Sequence, residues 1–249
     1  MFNYIQSELY RVTHTRPAYI TALILSIGIL LINVVLHFWG GGMNYYGHTS
    51  FSYALNVSEP FLYAAMGALV AFVLYEGPRK NGNLKNTIAY GLTRPQIFAG
   101  QCVVALITAT VIMAVVLAVW VASAELLLTR TNIWTLHDFF SSTLYVYLIA
   151  VASLISAIFL IAFSRRDLSA VAAWITIWNI FPTAMQYLGM KFEHCANIAG
   201  WLPNNFFSAD SIIRWWEEPE ILQKALVSGV VGILVFGVLG VVSLRKKDL

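Results

Sequence analysis

Apolar residues run along this chain in long blocks separated by short polar clusters, and six blocks reach the length of a membrane-crossing helix. They cover about residues 18–38, 56–75, 97–124, 139–163, 168–190 and 225–243. A helix needs about 20 apolar residues to cross the ~30 Å hydrocarbon layer. The third block holds no charged residue over 28 positions, so it tilts or extends past the headgroups. The second opens Ser58-Glu59-Pro60, which supplies an N-cap, an acid in the first turn and a proline where its missing N–H is harmless. The pattern predicts an all-α polytopic membrane protein, a single transmembrane domain over residues 1–249 with six transmembrane helices.

Orientation follows from the basic residues. With the N-terminus inside, the cytoplasmic segments hold eleven of the 15 Lys and Arg: Arg11, Arg16, Arg79, Lys80, Lys85, Arg94, Arg165, Arg166, Arg245, Lys246 and Lys247. The outside keeps Arg130, Lys191, Arg214 and Lys224. This satisfies the positive-inside rule and places both ends in the cytoplasm, N-in and C-in.

Three segments outside the spans carry their own patterns. Residues 1–16 place Phe2, Ile5, Leu9 and Val12 on one stripe, with Asn3, Glu8 and Arg11 on other faces. That predicts a short amphipathic interface helix on the inner membrane surface. Residues 191–222 interleave Trp201, Phe206, Phe207, Ile212, Ile213, Trp215 and Trp216 with Pro203, Asn204, Asn205 and Asp210. Such aromatics favour the headgroup zone. The segment reads either as one or two short re-entrant helices in the outer leaflet or as an extracellular surface loop.

Residues 76–96 join the second and third spans on the inside. Gly77-Pro78 breaks the preceding helix, and Asn81 or Asn83 can cap a new one. Leu84 and Ile88 share a face, and Gly91 can end the helix in the left-handed conformation. Thr93 and Pro95 suit the start of the next helix. The result is a two-turn helix with an apolar face turned to the cytosol, where a partner can receive it.

Composition narrows the field. Charged residues make up 11% of the chain and hydrophobic residues 59%, against about 25% charged in a soluble domain. The net charge of +3 comes from basic residues at span ends, so it reports orientation and not a nucleic-acid partner. Cys102 and Cys195 are too few for a disulfide framework and fall toward opposite faces, so no bridge is expected between them. The first apolar block is too long for a signal-peptide core and lacks a small-x-small cleavage site, so it reads as an uncleaved span.

The motifs around the inner loop resemble a known family. An acid ending the second span (Glu76), then Gly82-x-Leu84-Lys85-Asn86, then Gly91-x-x-Arg94-x-x-Ile97-x-x-Gly100-Gln101, is similar to the membrane subunits of ABC-2-type transporters. The closing Ser243-Leu244-Arg245-Lys246-Lys247-Asp248-Leu249 is similar to that family's tail. In layout the resemblance spans the chain: amphipathic start, six spans and an elaborated loop before the last.

What the resemblance implies is a permease half of an ATP-driven exporter, with ABC-2 (type V exporter-like) architecture, in the cytoplasmic membrane of a bacterium. Two copies, or one copy and a related permease, would pair and bind two cytosolic ABC ATPase subunits. Glu76, Gly82, Leu84, Lys85, Asn86, Ile88, Gly91 and Arg94 would form the ATPase-coupling segment, and the helix bearing Phe2, Ile5, Leu9 and Val12 a second contact. Small size further resembles the phenol-soluble-modulin exporter and lantibiotic-immunity permeases, which implies amphipathic antimicrobial or cytolytic peptides, or lipid-like molecules, as cargo. No Gly-x-x-x-x-Gly-Lys-Ser/Thr loop occurs, so the chain is not expected to be an enzyme. ATP and Mg would sit on the partner, leaving no cofactor in this chain.

Other constellations are thin. His14, His37, His48, His137 and His194 are scattered without metal-ligand spacing, so no metal site is expected. Glu217 and Glu218 lack the partners an intramembrane hydrolase needs. The polar span residues Asn33 and Asn179 either line a translocation path or join helices by hydrogen bonds; Ser153, Ser156 and Gln186 are the other polar span residues. No ionisable residue lies near mid-span, which argues against a secondary transporter. Pro182 removes the bond to the Trp178 carbonyl and predicts a kink in the fifth span, which shapes either an outer gate or ordinary packing. A secondary transporter or channel and a non-transporting membrane scaffold are the alternatives.

Overall fold

The structure, a computed structural model, describes residues 1–39, 45–46, 61–80, 87–88, 91–130, 136–164, 166–206 and 219–245. Its helices are α1 (Phe2–Thr13), α2 (Arg16–Trp39), α3 (Phe61–Lys80), α4 (Arg94–Leu127), α5 (Leu136–Phe163), α6 (Asp167–Ile175), α7 (Phe181–Gly189), α8 (Glu193–Ala199) and α9 (Pro219–Arg245). A π-turn, Thr176–Ile180, joins α6 to α7, and a 3-10 turn, Pro203–Phe206, follows α8. Two-residue strands β1 (Tyr45–Tyr46) and β2 (Thr129–Arg130) pair in parallel, and the remainder of the described architecture is helical.

Four stretches are long and apolar enough to cross a membrane: Arg16–Phe38, Arg94–Leu127, Leu168–Gly189 and Glu220–Leu244. They fall on the expected first, third, fifth and sixth spans. The expected second and fourth spans fall on α3 and α5, and α5 is apolar over Tyr147–Phe163. The proposed cap at Ser58-Glu59-Pro60 lies outside the described residues. At 34 residues α4 is the longest helix, about 51 Å at 1.5 Å per residue, well beyond a ~30 Å hydrocarbon layer.

Helix α5 is the hub. Ile149, Ala152, Ser153, Leu154 and Ile158 are each at most 1% exposed, because α3, α6 and α9 all pack on it. Small residues permit this, as expected where helices associate by close backbone approach. A Cβ at Gly229 would lie 2.8 Å from Leu148 Cβ, one at Gly232 2.9 Å from Ala152 Cβ, and one at Gly67 2.9 Å from the Ala150 carbonyl oxygen.

These pairings also fix direction. Gly229 with Leu148 and Gly232 with Ala152 run α9 and α5 the same way. Asn33 with Ser123 and His37 with Leu127 do the same for α2 and α4. Phe98 against Gly240 and Arg94 against Leu244 set α4 antiparallel to α9. One end of the bundle therefore collects α1, the end of α3, the start of α4 and the end of α9. The opposite end collects the ends of α2 and α4.

Just before Pro182 the structure shows a π-turn. The Phe181 N–H donates to the Thr176 carbonyl, five residues back, which widens the turn ahead of the proline. Beyond α7 the chain doubles back: a Cβ at Gly189 would lie 2.9 Å from the Ala196 Cα, so α8 rests directly on α7. Phe206 then plugs into the bundle at 1% exposure, packing with α9. The described part of 191–222 contains the short helix α8 and the 3-10 turn; residues 207–218 lie outside the described residues.

Candidate functional site

The end of the bundle flanking residues 76–96 is built from backbone groups that need partners and side chains that reach them. Thr93 and Arg94 open α4, with Pro95 in its first turn. The Gln96 side chain accepts from the Thr93 N–H at 3.0 Å, half of a capping box, and the Thr93 carbonyl accepts from the Ile97 N–H at 3.1 Å. Just before it, Thr87 and half-buried Ile88 are helical, and the Gly91 N–H donates to the Ile88 carbonyl at 2.9 Å. Gly91 has φ +85°, a left-handed conformation in which a side chain would be strained.

Arg94 turns away from the loop. Its Nη1 donates at 3.3 Å to the Leu244 carbonyl, one of the last-turn acceptors of α9 that the helix leaves unsatisfied. Below it the Phe98 ring fills the space that Gly240 leaves open. The end of α3 is tied in by Tyr75, 3% exposed, whose hydroxyl donates to the Gln101 carbonyl at 2.8 Å.

Helix α1 docks on the same corner. Of its predicted stripe, Val12 is 3% exposed and Ile5 and Leu9 pack on the core, while Phe2 stays 70% exposed. Three of the four stripe residues thus face the bundle, against the first turns of α4, rather than pointing away from it. The Tyr4 ring lies over Gly100, 2.7 Å from where a Cβ would be. Burial, with the Glu8 carboxylate adding, pushes the Tyr4 phenol above its ordinary range. Arg11 donates to Glu8 Oε2 at 2.6 and 3.1 Å, reaches the Leu74 carbonyl at 3.5 Å through both terminal nitrogens, and lies 6.0 Å over the Tyr75 ring.

Of the expected coupling residues, the structure places Ile88, Gly91 and Arg94 on this corner. Gly82, Leu84, Lys85 and Asn86 lie outside the described residues; Glu76 belongs to the last turns of α3. Asn33 is elsewhere, fully buried, its Nδ2 donating to Ser123 Oγ at 2.7 Å and toward the Trp120 carbonyl at 3.4 Å. This is a bond joining α2 to α4. His37 extends the same seam: its Nδ1 donates to the Leu127 carbonyl at 2.6 Å. Asn179 sits half-buried on the π-turn, and Pro182 is buried just beyond it.

The sequence reading missed two features here. Arg11 counted there as a charge that sets orientation, and nothing at residue 11 announces a carbonyl 63 positions away. Trp174 and Trp178 donate their indole N–H groups to Ser153 Oγ at 3.1 Å and Ser156 Oγ at 2.8 Å, all four residues buried. For these the signal existed: tryptophans four apart facing serines three apart on the adjacent span. Among the described residues, no three His, Cys, Asp or Glu side chains cluster closely enough to hold a metal ion, and Cys102 and Cys195 are both free thiols.

Long apolar helices, interhelical contacts through small residues and buried polar pairs between spans define a helical membrane protein. No protein-family model matches the chain, and no curated protein matches it.

Proposed function

We propose that this chain is the permease subunit of an ATP-driven exporter, crossing a bacterial cytoplasmic membrane six times with both termini inside. Its cargo would be amphipathic peptides. A separate ATPase would bind the corner where α1, α3, α4 and α9 converge. The observation that carries this reading is the clamping of residues 76–96 from both sides. Tyr75 and Arg11 hold the helix leading in, while Gly91, the Thr93–Gln96 cap and the Arg94–Leu244 bond hold the way out. A loop that only turned the chain would not need such fixed ends. A segment that passes force between a partner and the bundle does.

The alternating helix directions support six crossings, because antiparallel α4 and α9 with parallel α5 and α9 suit termini on one side. Pairing with a second copy or a related permease remains part of the reading, carried by the resemblance to ABC-2-type subunits.

The test uses Leu84→Asp with Ile88→Asp. Burying each of these apolar side chains in a partner is worth about 1.5–3 kcal/mol, which the substitution removes while adding charge to the contact. Expression and insertion stay near normal, and association with the ATPase is lost, together with transport-linked ATP hydrolysis. Arg130→Ala, expected on the outer side, leaves association unchanged. A double mutant that still co-purifies with a full complement of ATPase overturns the coupling assignment.

A further inference from the structure

In an α-helix the carbonyl of residue i accepts from the N–H of residue i+4. In α3 the donor for Leu74 would be residue 78, a proline whose ring nitrogen carries no hydrogen. Pro78 therefore leaves the Leu74 carbonyl without its helical partner three residues before the chain enters the 81–90 stretch. This is the carbonyl that Arg11 reaches: Nη1 and Nη2 both lie 3.5 Å from Leu74 O. The guanidinium is aimed there by Glu8, which accepts from Nε and Nη2, and by the Tyr75 ring beneath it. Tyr75 is in turn fixed to the start of α4 through Gln101.

We infer that Arg11 is a positioning residue: it supplies the donor that Pro78 withholds and so clips α1 to the last turns of α3, setting the angle at which the chain enters the ATPase-facing segment. The part concerning the ATPase rests on the function proposed above; the clip itself does not. The helix continues through Pro78 to Lys80, so the proline removes one bond from the ladder of α3 without breaking it, and a donor from α1 stands in its place. Movement of α1 is then transmitted to the end of α3 at residues 79–80 without passing through the hydrocarbon layer. Lysine would keep the charge but lacks the planar fork that lets two nitrogens share one oxygen while a third position meets Glu8.

The proline provides the test, because restoring its N–H makes Arg11 dispensable. Hydrogen exchange of the amides at 75–80 is measured on the full chain in lipid nanodiscs for wild type, Arg11→Ala, Arg11→Lys, Pro78→Ala and Arg11→Ala with Pro78→Ala. Arg11→Ala speeds exchange there by about five- to tenfold, in keeping with loss of a charge-assisted hydrogen bond. Arg11→Lys falls between, Pro78→Ala alone is equal to or slower than wild type, and the double variant returns to wild-type rates. A purely packing role for Arg11 predicts no rescue. If Arg11→Ala leaves exchange unchanged, or the double variant is as fast as Arg11→Ala, the clip is wrong.

ATPase retained on co-purification is read in parallel, and it drops in Arg11→Ala and recovers in the double variant. Retention that stays full in Arg11→Ala while exchange accelerates overturns the positioning role. If exchange follows the predicted pattern but no ATPase accompanies even wild type, the clip stands and the exporter reading falls.

Discussion

At the scale of single residues, three pairs of buried polar side chains join helices of the bundle. Asn33 and Ser123, Trp174 and Ser153, Trp178 and Ser156 each bond to one another across a buried helix interface. Such bonds are worth roughly 0.6 kcal/mol on average in membrane bundles and up to about 1.7 kcal/mol. Asn33→Ala is therefore expected to lower the stability of the purified protein by about 0.6–1.7 kcal/mol, the value of one such interhelical bond, since the Ser123 hydroxyl keeps its own bond to the Trp120 carbonyl at 3.0 Å. Thermal unfolding in a fixed detergent measures this, and ligand-dependent activity per folded molecule should not change. A variant of normal stability but altered transport would instead place Asn33 on the cargo path. The sequence showed that Asn33 is polar within a span, but both roles remained open there. The bond to Ser123, 90 positions away, joins two helices and was not legible in the sequence.

At the scale of elements, apolar block length made the helices legible, since six blocks appear where six long helical stretches lie. Their ends were less so. α4 starts at Arg94 and runs to Leu127, three residues beyond the expected stretch at each end. Hydropathy marks where a helix leaves the hydrocarbon, whereas the Thr93 cap marks where it stops. The π-turn was invisible for a different reason. Ala170, Trp174, Trp178 and Pro182 are all buried at a spacing of four. In an α-helix that spacing drifts by about 40° at each step, so a reading at 3.6 residues per turn does not see one face. The wide turn at Thr176–Ile180 takes up the drift.

The glycines of α9 give an element-scale prediction. Gly232 faces Ala152, while a Cβ at Gly237 meets nothing within 4 Å. Gly232→Leu should destabilise the bundle by about 1–3 kcal/mol or more through overpacking. Gly237→Leu should be neutral or stabilising, because leucine is the better helix former. Equal melting shifts for the two variants would contradict the close α5–α9 packing.

For the whole molecule, charge distribution and helix direction converge on one layout. The basic Arg11 and Arg94 both lie at the corner where α1, α3, α4 and α9 gather, and the positive-inside rule then expects that end on the cytoplasmic side. Cysteines introduced at Gly41 and Asn204 should react with impermeant reagents from outside intact cells, and those at Asn81 and Lys247 should not. Labelling of Gly41 and Asn204 from opposite sides would rule out six crossings. The contacts at the ends of the 76–96 segment were less legible than the helices. Its motif residues lie in sequence around 82–94, but the groups that hold its ends come from residues 11, 75 and 244, brought near only by folding.

Helix α4 gives this layout a mechanical consequence. Its first two turns are fastened to α1, α3 and α9 through Gly100, Gln101 and Arg94, and its far end to α2 through Ser123 and Leu127. A rod about 51 Å long, pivoting at its middle, moves each tip by roughly 4 Å for a tilt of ~10°. Because both tips are tethered, α4 behaves as a strut. A push on the tip held by α1, α3 and α9 is then felt by α2 at the opposite end of the bundle, carried by one continuous helix with no joint in between.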